Sequence, residues 1–230
     1  MSDLYVSSSS SSQVLVARNK VLRNTYLLLG LSLIPTIVGA LIGVNLNFSF
    51  MRASPIMFSI GFLAVFYGLV YAIEKNRDSS TGVFLLLGFT FLMGLLLGPI
   101  LQVALGMRNG GQLVSMAAGG TSLVFVAMAA IATTTKRDLS GLGRFLTVGA
   151  IVLMVAVVAN IFFQVPAVSL TISAMFVLFS SLVILWQIHA LVNGGETNYI
   201  SATLTLYIQI YNLFTSLLQL LMAFSGGNRD

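Results

Sequence analysis

The sequence predicts an all-α integral membrane protein, with seven transmembrane helices in a single membrane domain. Charged residues make up only 7% of the 230 residues, whereas hydrophobic residues make up 57%. A soluble domain carries about 25% charged residues, so this chain has too few of them to cover a surface that faces water. Its mean hydropathy of +0.99 points the same way.

Seven apolar runs supply the membrane spans. Each is about 20 residues long, the length that a helix needs to cross about 30 Å of hydrocarbon. The predicted spans are residues 25–44, 55–73, 82–105, 113–133, 145–164, 167–189 and 199–224. Only short loops connect them, and these leave no room for a soluble domain.

The two ends of the chain lie outside the predicted spans. Residues 1–24 contain the run SSSSSS (Ser7–Ser12) ahead of the first basic residues. Such polar, low-complexity sequence buries nothing, so we expect a flexible tail. The first apolar run is too long for the core of a cleavable signal peptide. At the other end, residues 225–230 are predicted to form a short tail.

The basic residues predict the orientation in the membrane. With the amino terminus in the cytoplasm, the outer segments hold only Arg52, Arg108 and Arg229, and the inner segments hold the other eight basic residues. The positive-inside rule then places the carboxyl terminus outside. The basic residues are scattered and form no cluster with aromatic residues, so the net charge of +5 does not predict nucleic-acid binding.

Two glycine pairs are spaced for close packing of helices. The segment GALIG carries Gly39 and Gly43, and the segment GLLLG carries Gly94 and Gly98. Small residues four apart let helix backbones approach, which matters in lipid because the hydrophobic effect does not drive helices together there. Pro99 follows directly. We expect Gly98 and Pro99 to break or kink the third span and to free backbone groups that need partners.

The last predicted span carries a polar stripe. Its members are spaced by four, three, four and three residues and so share one helix face: Thr205, Gln209, Asn212, Ser216 and Gln219. The sixth span carries a sparser set at intervals of seven: Ser173, Ser180 and Gln187. An unpaired amide in hydrocarbon costs about 1–3 kcal/mol, so both faces are predicted to point inward, with the last helix at the centre. Ordinary hydrogen bonding between helices and a polar pathway are both open interpretations.

The residues that most enzymes use are missing from the spans. No Asp or Glu lies inside an apolar run, and the one histidine, His189, has no GxSxG or HExxH pattern beside it. The chain contains no cysteine and therefore no thiolate metal site. No lysine lies in the last span, where a retinal protein forms its Schiff base. We expect no catalytic residue, no cofactor and no metal.

The turn before the last span has a pattern of its own. In the segment NGGETNYI, Gly194 and Gly195 permit a sharp reversal of the chain. Glu196 follows near the start of the last helix, where a carboxylate suits the positive end of the helix dipole. We expect these three residues to form the turn and Glu196 to cap the helix.

Six segments together resemble the transmembrane Bax inhibitor motif family, also called the Bax inhibitor-1 family. They are GLLLGPIL, GGTSLVF, TKRDLSGLG, VANIFFQVPA, HALVNGGETNYI and LYIQIYNLF. The segments NKVLRNTYLLL and GGETNYI are most similar to the bacterial YccA branch of that family. The resemblance covers Arg18 to Phe224, and it implies seven helices with the last one enclosed by the other six.

The functions of the family imply two hypotheses for this chain. Proteins of the YccA type are substrates and modulators of FtsH, the membrane-bound ATP-dependent protease of the bacterial inner membrane. The resemblance therefore implies FtsH as a partner and a role in membrane-protein quality control, and residues 1–24 are the segment on which the protease begins to pull. Many other members are described as calcium-leak channels gated by a pair of aspartates. A calcium or proton leak is the alternative.

The aspartate pair of those channels falls on Gln187 and Gln209 in this chain. Two close carboxylates share a proton and so respond to pH near neutrality. Glutamine offers hydrogen bonds and an oxygen ligand, but it neither titrates nor carries charge. The sequence therefore favours the modulator over the pH-gated leak. A purely structural membrane protein is the third hypothesis.

Overall fold

The computed structural model describes residues 2–226, and this part of the chain forms nine helices and no strand. The helices are α1 (Ser2–Gly43), α2 (Ser49–Ala53), α3 (Pro55–Lys75), α4 (Ser80–Leu96), α5 (Gly98–Leu105), α6 (Gly110–Thr134), α7 (Ser140–Phe163), α8 (Pro166–Asn193) and α9 (Tyr199–Gly226). Pro55, Pro99 and Pro166 each lie in the first two positions of a helix. A proline there removes no helical hydrogen bond, because the first amides of a helix have no acceptor within it.

Seven segments of the described chain are long and apolar enough to cross a membrane, which confirms the predicted number. They are Val16–Gly43, Pro55–Lys75, Ser80–Leu105, Gly110–Thr134, Gly141–Phe163, Pro166–Asn193 and Tyr199–Gly226. The third segment joins α4 and α5, whereas α2 is a five-residue helix in the loop before the second segment. Large apolar side chains are exposed all round the bundle, as lipid contact requires.

The first helix is longer than the predicted first span. Helix α1 is continuous from Ser2, because the first glycine is Gly30 and the first proline is Pro35, so nothing earlier interrupts a helical backbone. Val21 and Leu22 pack against the core, so the bundle begins before the predicted boundary at residue 24. The flexibility of the amino-terminal tail stays a prediction. Residues 227–230 of the predicted carboxyl-terminal tail lie outside the described residues.

Helix α9 has more buried residues than any other described helix, and only Phe224 and Gly226 are exposed along its length. It packs against α1, α3, α4, α5, α6 and α8, which belong to five of the other six spans. Within residues 2–226, the backbone of α7 does not approach α9 and packs against α8 and α3 instead. Enclosure of the last helix by all six other spans is therefore not confirmed.

The two glycine pairs meet each other where α1 packs against α4 and α5. Gly94 lies against the carbonyl group of Thr36, and both Gly39 and Gly43 lie against the backbone of Leu95. A Cβ atom built on any of the four glycines would overlap a backbone atom of the facing helix: Gly39, Gly43, Gly94 and Gly98. Backbone packing of this kind is a main source of attraction between helices in lipid.

We predict that Gly94→Ala destabilises the bundle by about 1–3 kcal/mol, because the added methyl group overpacks a backbone contact in which no flexible side chain can move aside. Gly88→Ala on the same helix is the matched control, since a Cβ atom there meets nothing within 4 Å. Denaturant unfolding of both variants in detergent measures the difference. Equal stabilities would contradict the close approach of α1 to α4.

Candidate functional site

The polar stripe of α9 lies inside the bundle. Gln209 and Ser216 are buried, with 8% and 6% of their surface exposed. Thr205, Asn212 and Gln219 are half-buried. None of the five lies on the exposed surface of the bundle, so this side of α9 faces other helices and an internal cavity.

A cavity of about 310 Å³ follows the second half of the stripe, between α7, α8 and α9. Its lining is Val157, Asn160, Ile161, Ser169, Ile172, Ser173, Phe176, Asn212, Thr215, Ser216 and Gln219. The hydroxyl of Ser173 donates a hydrogen bond to Oε1 of Gln219 at 2.8 Å. Asn160 donates to the hydroxyl of Ser169 at 2.7 Å and so joins the end of α7 to the start of α8. We call this cavity the polar lobe.

Three side chains of the polar lobe carry polar atoms with no hydrogen-bond partner in the described chain. They are the side-chain amide of Asn212, the hydroxyl of Ser216 and the Nε2 atom of Gln219. A buried polar group normally has a partner in the protein or in ordered water. The polar lobe therefore offers unused donors and acceptors to water or to a bound molecule.

A second, apolar cavity of about 510 Å³ adjoins the polar lobe, and we call it the apolar lobe. The two share Val157, Phe176, Asn212 and Thr215. The rest of its lining is almost entirely aromatic and aliphatic: Met51, Phe58, Phe62, Leu63, Phe66, Tyr67, Met93, Leu96, Pro99, Ile100, Ala150, Leu153, Met154, Phe179, Ile208 and Tyr211. Ala150, Leu153 and Met154 belong to α7, whose backbone does not approach α9, so the apolar lobe occupies space between these two helices.

The half of the α8–α9 interface that lies nearer the turn at Gly194 differs from the polar lobe in its packing. Gln187 is 3% exposed and Ser180 is fully buried, on the helix that packs most extensively against α9. Ser180 Oγ, Gln187 Nε2 and Gln209 Oε1 are buried and have no hydrogen-bond partner. Neither glutamine lines the polar or the apolar lobe. The stripe is thus open to a cavity around Asn212 and Gln219, and closed by packing around Gln209.

A second polar face of α9 was not identified from the sequence. The hydroxyl groups of Tyr207 and Thr36 are hydrogen-bonded at 2.8 Å, and Tyr207 also donates to the carbonyl of Thr90 at 3.2 Å. One turn earlier, the buried hydroxyl of Thr203 lies 2.6 Å from the carbonyl of Tyr199 in its own helix and 3.3 Å from the carbonyl of Thr25 in α1. Thr203 and Tyr207 are four residues apart, and this helical spacing could have indicated from the sequence that they share a face. This face attaches α9 to α1 and α4.

The third span is interrupted where Gly98 and Pro99 were singled out. Helix α4 ends at Leu96 and α5 begins at Gly98. Pro99 lines the apolar lobe. Gln102, on the first turns of α5, donates to the carbonyl groups of Val44 at 2.9 Å and Leu46 at 2.8 Å, just beyond the end of α1. The interruption lets a side chain of one span satisfy backbone carbonyls at the end of another.

The turn before α9 reverses at its two glycines. Gly194 has a positive φ of 77°, and the amide of Gly195 donates to the carbonyl of Ala190 at 2.8 Å. Glu196 accepts the amide of Asn198 at 2.8 Å, but it is Asn198 whose side chain accepts a first-turn amide of α9, that of Ile200, at 2.9 Å. The capping side chain is therefore Asn198, a role that the sequence analysis did not assign.

The same end of α9 is attached to the turn between α3 and α4. Ser201 donates to the carboxylate of Glu74 at 2.8 Å, and Asn198 donates to that of Asp78 at 2.8 Å. Arg77 lies 3.6 Å from Glu74. These carboxylates lie at the ends of helices and are already engaged. Among the described residues, no group of three or more His, Asp or Glu side chains is placed to hold a metal ion.

Comparison with known proteins decides the family. A family model described as inhibitor of apoptosis-promoting Bax1 matches residues 18–226. The chain belongs to the Bax inhibitor-1 family. This match extends over all seven candidate spans, and the resemblance noted in the sequence is therefore confirmed.

Several bacterial members of the Bax inhibitor-1 family are similar along nearly their whole length. An uncharacterised protein of Neisseria meningitidis serogroup A is 53% identical over 92% of this chain and 94% of its own. The modulator of FtsH protease YccA from Escherichia coli K12 is 43% identical over 95% of this chain and 97% of its own. An uncharacterised protein of Pseudomonas aeruginosa is 44% identical over 90% of each chain.

Proposed function

We propose that this protein is a substrate and modulator of the protease FtsH in the bacterial inner membrane. The observation that carries the proposal is its full-length similarity to the Escherichia coli protein named as a modulator of that protease. A relative from a second Escherichia coli strain, equally identical, is named an inner membrane protein. A modulator needs no catalytic residues of its own, in keeping with the uncharged interior of α8 and α9.

The packing of α1 supports a role as a slowly processed substrate. A protease that pulls on the amino terminus applies force to α1. That helix is interlocked with α4 at the glycine pairs and bonded to α9 through Thr36 and Tyr207. Forced unfolding is limited by the rate at which such contacts break. A bundle that yields slowly occupies the protease and so reduces its action on other substrates.

We predict that deletion of residues 2–15 lengthens the half-life of the protein in cells that contain FtsH and weakens its co-purification with the protease, because an AAA-type motor needs a free segment on which to start. The deletion stops short of Val21 and Leu22, which pack against the core. Pulse–chase labelling and pull-down with FtsH are the measurements.

A matched variant replaces residues 2–15 by a Gly/Ser segment of equal length. We expect this variant to be degraded like the native chain, since a flexible segment of the same reach remains. Unchanged half-life and binding after the deletion would refute the proposed role of the tail. Loss of turnover in the Gly/Ser variant would instead assign recognition to the sequence of the tail.

We also propose a cytoplasmic amino terminus, which the previous experiment requires. The chain lacks cysteine, so single cysteines can be labelled without background. Lys136 and Arg108 are exposed residues in the loops that precede α7 and α6. We predict that a membrane-impermeant maleimide labels Arg108→Cys in spheroplasts and labels Lys136→Cys only after the membrane is permeabilised. The reverse pattern would contradict the orientation.

A calcium or proton leak is the second candidate function. The observation in its favour is the set of buried, unpartnered polar atoms on Ser180, Gln187 and Gln209. Such atoms are the kind that water or an ion satisfies. Helices α8 and α9 contain no Asp or Glu, however, so a divalent cation would find no carboxylate there.

If the leak operates, liposomes that contain the native protein pass calcium or protons faster than empty liposomes, and Gln209→Leu abolishes the flux. The double variant Gln187→Asp with Gln209→Asp then introduces a dependence on pH between about pH 6 and pH 8, because two close carboxylates share one proton. Native flux equal to that of empty liposomes over this range would refute the leak and leave the FtsH proposal intact.

A further inference from the structure

The polar and apolar lobes together form an amphipathic cavity. At one end, the polar lobe presents Asn160, Ser169, Ser173 and the outer part of the α9 stripe. At the other end, the apolar lobe is walled by phenylalanine, methionine and aliphatic side chains. No charged residue is among those that line either lobe. Such a cavity matches a molecule with a polar, uncharged end and a long apolar body.

The volume of the apolar lobe is that of a ligand site. Its volume of about 510 Å³ is many times that needed for a single water molecule. The apolar lobe is one continuous cavity, so we expect it to hold a single acyl chain. Both lobes also fall within the range of about 300–1,000 Å³ that is typical of ligand sites.

The apolar lobe opens toward the surroundings of the bundle between α3 and α7. Tyr67, which is 49% exposed, and Ala150, which is also exposed, belong to its lining. The hydroxyl of Tyr67 lies 3.9 Å from the sulfur of Met154 and bridges the two helices there. Both residues lie well inside their spans, so this opening faces lipid chains.

The polar lobe lies toward the membrane boundary. It adjoins a further cavity lined by Gln164 and Pro166, which are both exposed in or beside the loop between α7 and α8. Asn160, Ser169 and Gln219 line both cavities. A polar head group in the polar lobe is therefore near water, while the attached chain reaches down beside α9 into the apolar lobe.

From these features we infer that the cavity binds a single-chain lipid with an uncharged, hydroxyl-bearing head group, of the monoacylglycerol type. The head group bonds to the free amide of Asn212, the hydroxyl of Ser216 and Nε2 of Gln219. The acyl chain replaces the missing contact between α7 and α9. A charged head group would lose its hydration in a lobe that offers no counter-charge. The inference does not depend on the role proposed with FtsH.

The test uses the native full-length protein in detergent and a monoacylglycerol with a photoreactive diazirine in its acyl chain. We expect cross-links to residues of the apolar lobe, such as Phe62, Met154 and Phe179, when the labelled peptides are mapped by mass spectrometry. Unlabelled monoacylglycerol should displace the probe. Cross-links confined to outward-facing residues such as Val155, or labelling that excess lipid does not displace, would overturn the inference.

Two competitors test the chemistry of the ligand. A lysophosphatidate with the same chain adds a charged head group, and a diacylglycerol adds a second chain. We expect each to compete about tenfold less well than monoacylglycerol, given the uncharged lining and the size of the apolar lobe. If lysophosphatidate competes as well as monoacylglycerol, the preference for an uncharged head group is refuted. If diacylglycerol does, the restriction to a single acyl chain is refuted.

Substitutions in and outside the lining of the cavity test where the lipid binds. Val157 lies where the lobes meet, so Val157→Trp should reduce displaceable labelling about tenfold by filling the passage. Val155→Trp, at a position that is 63% exposed, should leave it unchanged. Asn212→Leu should reduce it about fivefold, as expected for one lost hydrogen bond. Equal labelling in all three variants would overturn the inference. If Val157→Trp does not fold, the cross-links mapped on the native chain decide whether the lipid binds in the cavity.

Discussion

The hydrocarbon core of a membrane contains no water, so a polar side chain in a span must find its partner inside the protein. In this chain that constraint acts mainly on α9, which carries amides and hydroxyls at helical spacing. Helix α9 therefore lies in the interior, with only Phe224 and Gly226 exposed. Helices of five of the other six spans pack against it, and large apolar side chains cover the exposed surfaces of the bundle.

The two polar faces of α9 differ in their hydrogen bonding within the described chain. The face that carries Tyr207 meets α1 and α4, which are held together by backbone contact at their glycines. The stripe that begins at Thr205 meets α8 and then an open space, because α7 packs on α8 and α3 rather than on α9. The face at Tyr207 is thus fixed by hydrogen bonds, and the second half of the stripe borders the polar lobe.

The buried amides give the interior a definite chemical character. Gln187 and Gln209 occupy buried positions on packed helices, yet they bring no charge with them. A buried carboxylate pair would need a proton, a cation or water to be stable, whereas amides need only hydrogen bonds. The packed faces of α8 and α9 therefore contain no Asp or Glu side chain that could titrate.

The sequence by itself determined the number of spans, the spacing of the two glycine pairs and the helix face that the polar residues of α9 share. Each of these follows from hydropathy or from spacing within a single helix. The tertiary structure alone decided that the glycine pairs meet each other, that Tyr207 bonds to Thr36, and that α7 leaves a cavity beside Asn212. Periodicity defines one face of one helix; which helix that face meets depends on the shapes of residues far apart in the chain. The cap of α9 by Asn198 is a local bond that the sequence could have indicated, whereas the bond from Asn198 to Asp78 depends on the tertiary structure.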